Sequence, residues 1–169
     1  MERIPEIKFE KKESARERLL VLEKEGRWLF HGSAVNVDKL EPRQPSRFDR
    51  VLKQHMKDGD PCIAASPYAD IAIFRAIVND VNFSDYSYSS NFGVEGRDGK
   101  ETVKLGASLC VTDNLAGKKG VVYVFNRDGF RLHEAGVMEW RCDIEMAPSE
   151  KIEVCADDIV LLPIENLEE

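Results

Sequence analysis

The sequence predicts an α+β domain with its helices early and its strands late. Helix-start signals at Ser14 and at Ser66-Pro67, each followed by apolar residues at helical spacing, fall in the first half of the chain. After Lys100, short alternating or wholly apolar runs separated by turn residues take over. The length of 169 residues suffices for one domain with its own core and is too short for two. Residues 1–169 are therefore read as a single domain.

Composition narrows the function classes. Hydrophobic residues make up 43% and charged residues 33%, a globular balance. The net charge of -7 and a pI near 5.1 argue against an extended nucleic-acid surface while leaving room for a small local anion site. Cys62, Cys110, Cys142 and Cys155 show no CxxC spacing, and the three histidines are far apart, so no metal is expected and the thiols read as reduced and mostly buried. The first residues carry no apolar signal core, and no run approaches the roughly 18 apolar residues of a membrane span. The expectation is a cytoplasmic protein without membrane contact.

In chain order, residues 1–13 are polar and charged and read as an extended lead-in. Ser14-Ala15-Arg16-Glu17 is a capping-box pattern that opens a helix with Leu19, Leu20 and Leu22 on its buried side and Gly26 as a left-handed cap. A strand follows from Trp28 to His31 and ends on His31-Gly32-Ser33, delivering a titratable ring and a permissive backbone to its own end. Up to Pro61 the prolines and Asp58-Gly59-Asp60 mark loop, with a short helix over Phe48 to Met56. Arg43, Arg47 and Arg50 gather there, and forked guanidinium donors suit a pyrophosphate, although the same residues also read as an ordinary solvated loop.

Cys62 to Ala65 reads as a short buried strand, and Ser66 and Pro67 as the N-cap and first position of a second helix, with Asp70 in its opening turn. Ala69, Ala72, Ile73, Ala76 and Ile77 give that helix a small apolar face, which Phe74 and Val78 extend. Asn82 to Lys100 looks like a long loop with aromatic handles, either a lid or a disordered excursion. Strands are expected over Val103–Val111, Val121–Phe125, Phe130–His133, Met138–Ile144, Ile152–Val154 and Ile159–Ile164, with a hairpin at Asn126–Gly129 and a charged tail from Glu165.

Three segments together resemble the ADP-ribosyltransferase superfamily, in its poly(ADP-ribose) polymerase-like branch: Leu29-Phe30-His31-Gly32-Ser33, Ile63 to Phe74, and Val137-Met138-Glu139-Trp140-Arg141. The resemblance covers residues 27–155, within a core of 27–164, and implies two small antiparallel sheets split around an NAD cleft with flanking helices. By this resemblance NAD is a co-substrate. His31 holds a ribose, Gly32 holds the nicotinamide carboxamide with Ser33 beside it, and Phe74 or Tyr68 stacks on the nicotinamide. Glu139 stabilises the charge that grows at the anomeric carbon, and Arg43 or Arg47 neutralises the pyrophosphate. Phe74 stands where the family has tyrosine, Ile71 where the polymerases have serine, and Val137 where arginine-modifying toxins have Glu or Gln. The implied activity is mono-ADP-ribosylation of an unidentified acceptor. An RNA 2′-phosphotransferase-like enzyme and a non-catalytic NAD or ADP-ribose-binding module are the alternatives.

Overall fold

The computed structural model describes residues 13–49, 51–96, 98–133 and 138–167. Arg50, Val137, the lead-in up to residue 12 and the last two residues of the tail lie outside them. The elements of the first half are α1 (Ala15–Lys24), β1 (Trp28–Ser33), β2 (Ser46–Asp49), β3 (Gln54–Lys57), β4 (Ile63–Ala65), α2 (Ala69–Ile77) and β5 (Ser90–Glu95). Then follow β6 (Thr102–Ala107), α3 (Leu109–Thr112), β7 (Lys119–Asn126), β8 (Arg131–Leu132), β9 (Trp140–Cys142), β10 (Glu150–Cys155), α4 (Ala156–Ile159) and β11 (Ile164–Asn166).

The capping box forms as expected: Ser14 Oγ accepts from the Glu17 N–H at 3.1 Å, and the Glu17 carboxylate accepts from the Ser14 N–H at 2.8 Å. Gly26, at φ +72°, then turns the chain from α1 into β1. β1 pairs antiparallel with β7, and β7 with β10, with His31 opposite Tyr123 and Gly32 opposite Val122. β7 is buried from Gly120 to Phe125 because both its faces are covered there. Val122 and Val124 join Leu19, Leu22, Phe30 and the α2 side chains in one core, while Val121, Tyr123 and Phe125 join Leu29, Ile63, Phe130 and Cys142 in another.

α2 lies unusually close to this sheet. A Cβ on Gly32 would fall 2.6 Å from the Ala76 nitrogen, and one on Gly120 would fall 2.7 Å from the Ala76 carbonyl carbon. Two glycines on neighbouring strands thus form the seat for Ala72 and Ala76. The helix begins later than Ser66-Pro67 predicts: Tyr68 is at the N-cap position, and Ser66 Oγ accepts from the Tyr68 N–H at 3.1 Å. Helix α1 supplies the missing cap, since the Glu23 carboxylate accepts from the Ala69 N–H at 2.6 Å and Arg16 pairs with both oxygens of Asp70 at 2.8 and 3.0 Å.

Several expectations are corrected. Phe48 to Met56 is not a helix but the β2–β3 hairpin, closed by Asp49, whose carboxylate accepts from the N–H groups of Val51 and Leu52. Asn82 to Lys100 is not all loop, because Ser90 to Glu95 pairs with β6 as an edge strand. β6 stops at Ala107, and Leu109–Thr112 is a short helix. Asn126–Gly129 is a turn but joins no hairpin, since β8 pairs with β9 and not with β7. Ile159 to Ile164 is not one strand: Asp158 accepts from the Cys155 N–H and starts α4, and β11 begins only after Pro163.

The class is α+β with small sheets. Among the described residues these number four, three of three strands and one of two, where two were expected, and β11 pairs with β6 in parallel. Among the described residues no helix is long and apolar enough to cross a membrane. Cys62 and Cys142 are buried, Cys110 and Cys155 half-buried, and all four are free thiols.

Candidate functional site

The site begins at a strand edge. Phe30 exchanges two backbone hydrogen bonds with Ser66, at 2.8 and 2.9 Å, on the side of β1 away from β7, whereas the Arg27 carbonyl accepts from Arg127 on the β7 side. Backbone groups of alternate residues point the same way, so the N–H and C=O of Gly32 share the outward side with those of Phe30. The chain leaves that edge at Ser66 to enter α2, and the Gly32 edge opens on a cleft instead of a strand. The cleft is shallow: its enclosed part is about 20 Å³, room for a water molecule or so, and the rest is open mouth.

His31, Gly32, Arg75, Phe92, Met138 and Glu139 are among the residues that line it. His31 Nδ1 lies 2.7 Å from the Ala64 carbonyl. A carbonyl only accepts, so Nδ1 carries the proton, and in the neutral ring Nε2 is an acceptor. Burial is the main reason the His31 pKa falls to about 4; its hydrogen bond to Ala64 opposes the shift, and Arg75 and Arg43 add to it. The ring is therefore neutral at pH 7, braced edge-on against Tyr123 at 6.1 Å between centroids.

Glu139 enters from the opposite wall, after a left-handed turn at Met138 (φ +59°). One of its oxygens accepts from Arg141 Nε at 2.6 Å, and Arg141 also donates to the Asp58 carboxylate at 2.7 Å and to the Asp58 carbonyl at 2.8 Å. The Arg141 side chain is 8% exposed, while the Asp58 and Glu139 carboxylates that clasp it are half-buried. Its guanidinium holds the Asp58 carboxyl below the usual range. Fixed through Oε1, Glu139 keeps Oε2 for another donor. On the helix wall, the Arg75 guanidinium sits 5.2 Å above the Phe92 ring, and its burial lowers its pKa while Glu139 across the cleft opposes the shift.

Of the residues singled out in the sequence, His31, Gly32 and Glu139 are brought together, with Ile71 beside them. The other candidates do not line the cleft. Ser33 continues β1, with its Oγ accepting from the Val35 N–H. The Arg43 backbone bridges to Cys62, and Arg47 is exposed on β2. Tyr68 is half-buried at the start of α2. Phe74 is 1% exposed and packs in the core, because each helical residue turns the face by about 100°. Ile71, Ala72 and Arg75 face the cleft, and Phe74 faces away from it. Arg75 and Phe92 are the lining residues that the sequence did not single out for this site; the one signal for Arg75 is a lone cation within the apolar run Ile71 to Ile77.

Among the described residues no group of three or more His, Cys, Asp or Glu is gathered as a metal would require. No family model matches the sequence, and neither a curated protein nor a solved structure matches it.

Proposed function

We propose that the cleft is an NAD site and that the protein is a mono-ADP-ribosyltransferase with the ADP-ribosyltransferase type of core, passing ADP-ribose from NAD to an acceptor and releasing nicotinamide. The observation that carries this reading is that His31, the open peptide edge of Gly32 and Glu139, from separate segments of the chain, border one cleft. An N–H beside a C=O, as Gly32 presents them, complements the C=O and NH₂ of a carboxamide. The neutral His31 accepts a ribose hydroxyl at Nε2. Oε2 of Glu139 accepts the ribose 2′-hydroxyl and lies beside the anomeric carbon.

The C1′–N bond breaks with its electron pair leaving on nicotinamide, which loses its positive charge, and positive charge grows on the ribose. The fixed carboxylate of Glu139 favours that charge without having to reorganise. The acceptor's nucleophilic atom then bonds C1′ and gives up its proton to solvent.

One observation favours a non-catalytic binding module instead: Phe74, expected to stack on the nicotinamide, is in the core. Calorimetry with NAD and a nicotinamide-release assay separate the two. The transferase reading expects binding and release, with Glu139→Gln lowering release by about 10²–10³-fold while NAD still binds, because glutamine can still accept from Arg141. Binding without release assigns the module, and absence of binding removes both readings.

A further inference from the structure

Arg75 is set into the cleft wall without a counter-ion. Two other part-buried arginines have carboxylate partners: Arg16 pairs with Asp70 at 2.8 Å and Arg141 with Asp58 at 2.7 Å. Among the described residues the Arg75 guanidinium makes no hydrogen bond or ion pair, and its aromatic contact is the face of Phe92. The nearest wall carboxylate, Glu139, is engaged by Arg141 at 2.6 Å.

We propose that Arg75 is the anion-binding residue of the cleft and that its partner is a phosphoryl group of a nucleotide ligand. A ring under a guanidinium is no oxygen acceptor, so the N–H donors of Arg75 are left for one. Those donors form a fork that matches two oxygens of one phosphoryl group. A cation in a partly dry wall with no bonded counter-charge is costly, and an arriving anion reduces that cost. His31 is neutral and so does not compete with Arg75 for the phosphoryl group. Phe92 is 44% exposed, so its ring also offers surface to the ligand. This assignment rests on the NAD reading for the source of the phosphate, and it moves to Arg75 the role that the sequence suggested for Arg43 and Arg47.

The test titrates the intact protein with ADP-ribose, inorganic pyrophosphate and the phosphate-free nicotinamide riboside, comparing wild type with Arg75→Gln and Arg75→Lys. Arg75→Gln is expected to bind ADP-ribose and pyrophosphate at least about tenfold more weakly and nicotinamide riboside as before, with Arg75→Lys in between because it keeps the charge and loses the fork. A structural role for Arg75 would instead lower the melting temperature of Arg75→Gln; removal of an uncompensated charge is expected to leave it unchanged or raised. ADP-ribose affinity unaffected by Arg75→Gln, or equal loss for the phosphate-free probe, overturns the proposal, as does a wild type that binds none of the probes. A 2′-phosphorylated RNA oligonucleotide bound in preference to ADP-ribose overturns NAD as the source of the phosphate. Arg75-dependent ADP-ribose binding without NAD turnover would remove the transferase reading and keep this one; NAD turnover with an unchanged KM in Arg75→Gln would do the reverse.

Discussion

Gly32→Ala tests the seat of α2 on β1. The added Cβ would lie 2.6 Å from the Ala76 nitrogen, 2.9 Å from the Ala72 carbonyl carbon and closer still to the Ala72 carbonyl oxygen, where ordinary contact begins near 3.4 Å. All three obstacles are backbone, so no side chain can swing aside and the helix must lift by roughly 1 Å. Overpacking of this kind costs about 1–3 kcal/mol, and a backbone obstacle puts Gly32→Ala at the upper end. For a chain of this length about 3 kcal/mol corresponds to a melting temperature lower by about 6–12 °C. Urea denaturation should show a lower midpoint at unchanged slope. Gly93→Ala is the control, because a Cβ at Gly93 meets nothing within 4 Å; its stability should stay within about 0.5 kcal/mol of wild type. A lifted α2 also carries Arg75 and Ala72 away from the cleft, so ligand affinity falls with stability. A Gly32→Ala protein that melts within about 2 °C of wild type would refute the close approach.

The pKa of His31, lowered from 6.5 to about 4, gives stability a pH dependence. Between those values the unfolded chain takes up a proton that the folded chain refuses, so stability falls as pH drops through this window, by at most about 3 kcal/mol and by less where cleft water reaches the ring; urea midpoints at pH 7 and 4.5 should differ less in His31→Gln. Phe74→Leu should cost stability on the order of 1–2 kcal/mol and leave ligand affinity unchanged, whereas Phe92→Leu should weaken ADP-ribose binding with little change in melting temperature. Glu23→Ala removes the acceptor for the Ala69 N–H and should cost about 1 kcal/mol of stability, measured by thermal denaturation.

What the sequence made legible was local. Ser14 and Glu17 announce α1 because both halves of the capping box lie within one turn, and the apolar run of β7 announces a strand covered on both faces. The β2–β3 hairpin was hidden because Phe48, Val51, Leu52 and Met56 fall near helical spacing and the turn uses the Asp49 carboxylate and a left-handed Lys53 (φ 50°) instead of glycine. β5 was hidden because its two apolar residues, Phe92 and Val94, are too few to stand out from the Ser, Asn and Gly around them, which read as loop. The first and last parts of the cleft, His31-Gly32 and Glu139, were legible from their motifs. Its helical wall was not: the choice between Phe74 and Arg75 depends on the rotation of α2 about its axis, which Gly32 and Gly120 set from strands distant in sequence.

The most direct test of the cleft's assignment is a crystal structure of the protein with a non-hydrolysable NAD analogue. The nicotinamide carboxamide should lie on the N–H and C=O of Gly32, a ribose hydroxyl on His31 Nε2 and the 2′-hydroxyl on Glu139, as the assignment requires. An analogue bound elsewhere on the protein, with the edge of Gly32 left open, would contradict it.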